Sequence, residues 1–249
     1  MVSPWRNQVF QKWYLLKFNK FDSKIFVFFI VAIFFTFHKI ALANIPNELL
    51  AVENVYKKEK TLEANFTQIK KIQAFKQEKK SNGMLFIEYP DKVRWEIQSP
   101  SPSLLMSDGK MFWHYTPPFS EGEKGQVIVS KADQIQSDFA RALLSGIFSK
   151  MGQNVTIKKM KFKSTNVNSK VKTENFLYFL VSPKKGFAGT VKEALIQIDK
   201  DKSQIQKITM SHYGGNTLII ELSDIKFGKK IDPSIFTFDT SKNVEIISQ

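Results

Sequence analysis

The sequence predicts a mainly β protein, an antiparallel sheet accompanied by helices, and three features carry that expectation. From Thr61 onward, apolar and polar residues alternate with a period of two in one short run after another. These runs are separated by turn chemistry, such as Ser107-Asp108-Gly109 and Gly214-Gly215-Asn216, and not by helix-length crossovers. Helical spacing interrupts the rhythm in two places, one just before the first strand and one near the middle of the chain.

The N-terminal residues read differently from the rest. Arg6, Lys12, Lys17, Lys20 and Lys24 form a basic lead, followed by the apolar run IFVFFIVAIFFTF at Ile25–Phe37 and the small residues Ala41 and Ala43 flanking Leu42. A charged lead, an apolar core and an A-x-A site describe a secretory signal. The run is also shorter than the roughly 20 residues a membrane-spanning helix needs. Residues 1–43 are therefore expected to be a signal peptide cleaved after Ala43; the long lead keeps retention as an N-terminal anchor as the alternative. On both readings residues 44–249 are exported, and they suffice for one domain with a sizeable core.

The elements follow in order. Pro46 opens a helix over NELLAVENVYKK, where Leu49, Val52, Val55 and Tyr56 share a face. Strands are expected over TLEANFTQ, GMLFIEY, KVRWEIQ, SLLM, KMFWHY and QVIVS, with turns at Ser81-Asn82-Gly83, Pro90-Asp91, Ser107-Asp108-Gly109 and residues 117–125. Residues 133–152 lack strand alternation and place Phe139, Ala140, Leu143, Leu144 and Ile147 on one helical face. Strands resume over NVTIKKMKF, NFLYFLVSP, EALIQIDK, QIQKITMSHY, TLIIELSDIKFG, FTF and NVEII, with hairpin turns at Lys200-Asp201-Lys202 and Gly214-Gly215-Asn216. No repeat or linker divides residues 44–249.

Composition bounds the function. The formal net charge is +14, and 31 basic against 22 acidic residues remain once residues 1–43 are set aside. Arg94 and Arg141 are the arginines of that remainder, and its lysines are scattered singly, the pattern of a solvated surface. Such a surface can steer the protein toward an acidic partner or an anionic membrane. A nucleic-acid groove would need basic and aromatic residues converging on one face, so no nucleic-acid partner is expected. There is no cysteine, so the fold relies on its core, and no lipid can be attached through an N-terminal cysteine. His114 and His212 stand alone without metal-ligand spacing, and no nucleophile elbow, phosphate-binding loop or HExxH is present. Binding is the default reading, with no metal, cofactor or catalytic residues expected.

Several motifs, taken in order, resemble a known family. Phe66-Thr67-Gln68 follows an amphipathic first helix, and GMLFIEYP forms a G-x-L/F strand ending in proline. The most specific stretch is Lys92-Val93-Arg94-Trp95-Glu96, then Pro102, then Ser107-Asp108-Gly109-Lys110, then Trp113-His114-Tyr115-Thr116-Pro117. It is similar to the FRWE…P…DG…W-x-Y-x-P series of the LolA family of periplasmic lipoprotein carriers. Gln126-Val127, Leu143-Leu144-Ser145-Gly146, Asp232-Pro233, Phe236-Thr237-Phe238 and Asn243-Val244-Glu245 continue the resemblance to the end of the chain.

The resemblance implies a strongly curved, incomplete antiparallel β-barrel with helices as a lid over an apolar cavity. It implies a soluble periplasmic monomer that takes acylated lipoproteins from an inner-membrane ABC transporter of the LolCDE type and hands them to a lipid-anchored LolB-type receptor on the outer membrane. The alternatives are another periplasmic lipid- or glycolipid-binding protein of the same fold and a secreted hydrolase. LolB carries a lipidated cysteine, so a chain without cysteine fits the soluble shuttle. One departure matters. The family places an arginine before the strand-ending proline, where it latches the lid, and this chain has Tyr89 there. A phenol offers one donor where a guanidinium offers five and a fixed charge. Tyr89 and Arg94 are the candidates for an altered latch, Arg94 only by approaching from the opposite pleat face; packing alone is the other way to hold the lid.

Alternation then supplies a candidate lipid-binding surface. Val93, Trp95 and Ile97 face one way in KVRWEIQ; Met111, Trp113 and Tyr115 share a face in KMFWHY; Phe66 lies on the first strand. An ordinary half-buried sheet would show the same alternation. On a curved sheet these aromatics and methionine can line a cavity for chains of no fixed shape. Phe139, Leu143 and Leu144 are expected to fill that cavity when it is empty and to move aside on loading.

Overall fold

The computed structural model describes residues 45–131, 146, 148–161, 175–239 and 244–248. All of them belong to the second of the two units into which the chain divides, residues 42–249.

Helix α1, Asn47–Glu59, starts after Pro46, whose carbonyl accepts from the N–H groups of Leu49 and Leu50. It stops at Lys60, whose left-handed backbone lets its N–H donate to Tyr56 O at 3.0 Å. Leu49, Val52, Glu53 and Tyr56 recur at helical spacing and are buried, so α1 presents one stripe to the sheet.

The strands are β1 Thr61–Ile72, β2 Gln77–Glu88, β3 Lys92–Ser99, β4 Ser103–Asp108, β5 Met111–Thr116, β6 Gly125–Lys131, β7 Val155–Met160, β8 Phe176–Pro183, β9 Val191–Asp199, β10 Gln204–His212, β11 Thr217–Phe227 and β12 Val244–Ser248. Among the described residues they form one sheet in the order β12-β6-β5-β4-β3-β2-β1-β11-β10-β9-β8-β7. Every pair is antiparallel except β12 with β6. The edges β12 and β7 are far apart in this order and the sheet does not close, which makes it an incomplete barrel. Register shifts at Glu63/Asn65, Asn82/Gly83, Ile205/Lys207 and Ser211/His212 supply local bends, and Asp224 takes φ 49° opposite the first.

One face of the sheet, the inner face, holds most of the core. Directly paired residues share a face, which gives the row Ala64, Leu85, Trp95, Leu105 on β1–β4 and the row Phe66, Leu222 on β1 and β11. Ile208, Ile220 and Ile196 continue it across β9–β11, and Phe179 and Val181 across β8. Apart from Leu105, which is half-buried and packs against them, these residues form one buried cluster with Leu49, Val52 and Tyr56 of α1 and with Phe148 and Met151.

Three expectations need correction. Ser81-Asn82-Gly83 is not a turn but lies inside β2, where Gly83 pairs with Phe66; the hairpin reverses at Gln73–Lys76 instead. Residues 76–82 are polar on both faces, so a period of two leaves no trace there. The end of the helix expected over 133–152 is a 3₁₀ segment, Phe148–Asn154, broken at Gly152 (φ 50°, ψ −136°). Phe236-Thr237-Phe238 is not a strand: Asp232 caps a short 3₁₀ turn, Pro233–Phe236, by accepting from Ser234 N–H.

Candidate functional site

The inner face of β1–β3 gathers four of the expected cavity residues. Phe66 and Trp95 stack with ring centroids 3.7 Å apart and planes 21° from parallel. This stack depends on Gly83. A Cβ there would sit 1.9 Å from Glu96 O and 2.7 Å from Phe66 Cζ, so the strand must be bare where the Phe66 ring crosses it. Val93 and Ile97 are half-buried and pack on the same cluster.

Met111, Trp113 and Tyr115 are elsewhere. Trp113 pairs with Met106, which pairs with Arg94, so all three β5 residues point to the outer face, opposite Trp95. Trp113 and Tyr115 join a second cluster with Leu104, Met106, Val127 and Phe238, and the Tyr115 and Phe238 rings are 5.6 Å apart. The two aromatic sets therefore do not share a hollow. The residues of β5 and β6 that continue the inner face are Phe112, His114 and Ile128, all half-buried, with Leu105 between them and Trp95. Alternation alone does not single out these four, because the more apolar phase of β5 faces outward. The register through β4, Trp95 to Leu105 to His114, is the signal that corrects it.

The cover over the inner face is held by a buried polar cluster and, near the start of α1, by a partly exposed ion pair between Glu48 and Lys159 of β7. Glu53, on the buried stripe of α1, accepts from Ser149 N–H at 2.8 Å and from the Ser149 hydroxyl, and pairs with Lys57 Nζ at 2.7 Å. Its side chain is only 1% exposed. Burial by itself raises this carboxyl, but the bonds from Lys57 and Ser149 outweigh it and hold the group below the ordinary carboxylate range. Lys57 is raised in turn, chiefly by Glu53. Tyr89 lies beside this pair: burial raises its phenol, the Lys57 charge opposes that, and Glu53 adds to it. Its backbone N–H donates to Lys60 O at 2.7 Å. Tyr89 thus stands with the polar cluster that ties α1 to the Phe148–Asn154 segment.

Arg94 does not. It lies on the outer face, where Nε and Nη2 bind Glu96 Oε2 at 2.9 and 2.7 Å and Nη1 donates to Ile235 O at 3.0 Å. Its pleat phase and its engaged guanidinium both remove it as a latch for α1. It instead borders an outer groove of about 410 Å³ between Met84 and Phe86 of β2 and Ile231 and Ile235 of the C-terminal segment. Phe139, Leu143 and Leu144 lie outside the described residues.

Tyr56 brings one unsatisfied polar group into the otherwise apolar contact of the cover. Its ring meets Phe227 edge-on at 5.1 Å, but the buried hydroxyl lies toward the Ile205 backbone without a hydrogen bond of normal geometry. Burial pushes this phenol upward. No group of three His, Cys, Asp or Glu among the described residues could hold a metal ion, and no described helix is long and apolar enough to cross a membrane.

An open, bent, mainly antiparallel sheet whose apolar inner face is covered, among the described residues, by a helix and a short 3₁₀ segment defines a class of helix-covered half-barrels. Within that class the assignment is direct: the family described as "Outer membrane lipoprotein carrier protein LolA" matches residues 57–239, and the chain belongs to it. An outer-membrane lipoprotein carrier protein of Pseudomonas paraeruginosa is 26% identical over 195 residues, covering 77% of this chain and 83% of its own. A protein of the same name from Nitrosomonas europaea is 31% identical over 110 residues, covering 43% and 51%. Among solved structures, a LolA superfamily protein from Nitrosomonas europaea is similar over 77% of this chain and 96% of its own, at 12% identity and a TM-score of 0.41. An uncharacterized conserved protein from Thermus thermophilus is similar over 81% and 99%, at 10% identity and a TM-score of 0.48.

Proposed function

We propose that the chain is a periplasmic carrier that shelters the acyl chains of outer-membrane lipoproteins against the inner face of its sheet. On this reading residues 1–43 direct export and are removed, an inner-membrane ABC transporter of the LolCDE type loads the cargo, and an outer-membrane LolB-type receptor accepts it. The protein performs no chemistry and needs no cofactor. The observation that carries the reading is the closure of the inner face. A continuous apolar surface is covered by a separate helix and a short segment, joined through Glu53 and Ser149.

The energetics favour such an arrangement. Burying hydrocarbon is worth about 0.8 kcal/mol per CH₂, so one chain of about sixteen carbons can gain on the order of 12 kcal/mol. Full engulfment of several chains would make release too slow. A cover that must be displaced, apolar contacts and ionic cluster together, offsets part of that gain and keeps loading reversible. Phe66, Val93, Trp95 and Ile97, with Leu105, Phe112, His114 and Ile128, are the residues proposed to meet the chains. Phe139, Leu143 and Leu144 are proposed to belong to the same cover.

The test is incubation of the purified protein with spheroplasts making a labelled outer-membrane lipoprotein. Release of the lipoprotein as a soluble complex with this chain is the expected result. Lipoprotein that stays on the membrane while the chain remains free would overturn the reading.

A further inference from the structure

The two rims of the sheet differ in chemistry, and the difference points to a membrane surface. At the rim where β1 meets β2 and β10 meets β11, Phe75 and Tyr213 are 70% and 66% exposed. Phe119, in the β5–β6 connection, is at the same rim. No other aromatic side chain among the described residues is so exposed. Exposed rings on hairpins that are fastened to each other mark a contact surface, as singly scattered apolar side chains do not.

The tips are fastened to each other. Gln73 N–H donates to Asn216 Oδ1 at 3.0 Å, and Gly215 (φ 79°) leaves room for the Gln73 side chain, which a Cβ would approach to 3.1 Å. Tyr213 N–H donates to Thr190 O at 3.0 Å, and His212 Nδ1 is 3.0 Å from Thr190 Oγ1. This ties the β8–β9 connection to the same surface. The charge around Phe75 and Tyr213 is mostly positive. Lys70, Lys71, Lys76, Lys79 and Lys80 on the β1–β2 hairpin and Lys184 and Lys185 on the β8–β9 connection are exposed beside one exposed acid, Glu78, 3.3 Å from Lys71, whereas the Phe119 connection, with Glu121, Glu123 and Lys124 exposed, is mixed. The opposite rim is mixed: Asp91, Asp108, Asp199, Asp201 and Asp232 alternate with lysines, and no large apolar side chain is exposed there among the described residues.

We infer that the rim carrying Phe75 and Tyr213 docks on a bilayer surface bearing anionic phospholipid headgroups. Rings of this kind settle at the headgroup level of a bilayer, and lysines around them bind the phosphates. A bilayer surface offers headgroup phosphates and an interfacial apolar layer side by side, so it matches the lysines and the two rings at once. This docking does not rest on the carrier reading; failure of acyl-chain binding would leave it standing.

Because the chain has no cysteine, Phe75→Cys, Tyr213→Cys and, on the opposite rim, Lys202→Cys each give one labelling position in the full chain. Each is labelled with an environment-sensitive nitrobenzoxadiazole dye and mixed with vesicles of phosphatidylethanolamine and phosphatidylglycerol, or of phosphatidylcholine alone. The label reports its own surroundings, so membrane binding through residues 1–43 cannot imitate the outcome. A blue shift at positions 75 and 213 but not at 202, seen with the anionic vesicles and not with phosphatidylcholine, is expected. No shift at 75 and 213, an equal shift at 202, or an equal shift with phosphatidylcholine overturns the proposal. A second variant, with Lys70, Lys71, Lys76, Lys79 and Lys80 all changed to Gln, keeps the rings. Its co-sedimentation with the anionic vesicles should fall at least tenfold relative to the parent chain, and unchanged co-sedimentation also overturns it.

Discussion

The inner and outer faces of the sheet are both apolar over β3–β6, yet they are closed in different ways. On the inner face the cover is α1 and the Phe148–Asn154 segment, joined to each other by a buried carboxylate and held on the sheet by packing and by the Glu48–Lys159 ion pair with β7. On the outer face the cover is the C-terminal segment. Phe238 belongs to the cluster there, and Ile235 O accepts from Arg94, a strand residue itself paired with Glu96. The inner cover is a separate helix, tied by one buried carboxylate to the Phe148–Asn154 segment and by one partly exposed ion pair, Glu48–Lys159, to β7. The outer cover is bonded through Arg94 to the sheet it shields, beside a groove that stays partly open. Two apolar faces of one sheet can thus serve different ends, and hydrophobicity alone does not say which is which.

The largest expected effect comes from the centre of the inner face. Trp95→Ala removes the partner of Phe66 from a fully packed site and should lower stability by about 3–5 kcal/mol in urea unfolding. Acyl binding should fall with it. Gly83→Ala tests the same stack from beneath, since its methyl would collide with the backbone carbonyl of Glu96. A loss of about 3 kcal/mol is expected, at the upper end of overpacking costs. A loss under about 0.5 kcal/mol, the scale of an ordinary surface change, would show that Phe66 need not cross that strand.

The joint between the covers is next. Glu53→Gln exchanges charge-assisted hydrogen bonds for neutral ones, and about 2 kcal/mol should be lost at neutral pH. The folded carboxyl is held below its ordinary value of 4.5. Its stabilisation is therefore complete above that pH and disappears as pH falls through the depressed value. Unfolding curves of parent and variant should differ at pH 7 and converge in strong acid. A gap that persists there would remove the carboxylate from the account. The same substitution should raise the affinity for a fluorescent fatty acid, because a loosened cover is easier to displace. The smallest effect belongs to the outer face. Arg94→Met removes partly exposed bonds to Glu96 and Ile235 O and should cost about 1 kcal/mol after solvent screening. Acyl binding should be unchanged.

Much of the fold was readable because local rules agree with it. The α1 stripe of Leu49, Val52 and Tyr56, the alternation in β3 and the turns at Lys200-Asp201-Lys202 and Gly214-Gly215-Asn216 all follow from spacing and turn chemistry. The site was only half readable. Phe66, Val93, Trp95 and Ile97 share a face as alternation implies, but β5 carries apolar residues in both phases. Choosing between Met111-Trp113-Tyr115 and Phe112-His114 required the register through β4. The outward phase is the greasier one because the outer face has its own cluster, built with Phe238 from a segment more than 100 residues later. No local pattern encodes such a contact. The joint was invisible for the same reason: Glu53 reads as an ordinary helix carboxylate until Ser149 is brought against it.

One measurement addresses the distinction between the faces directly. Trp95 lies on the inner face and Trp113 on the outer, so with Trp5 and Trp13 changed to Phe each can be made the sole tryptophan through Trp113→Phe or Trp95→Phe. Titration with a lipopeptide bearing brominated acyl chains should quench the fluorescence of Trp95 and leave Trp113 bright. Quenching of Trp113 with Trp95 unaffected would place the hydrocarbon on the other side of the sheet and contradict the account.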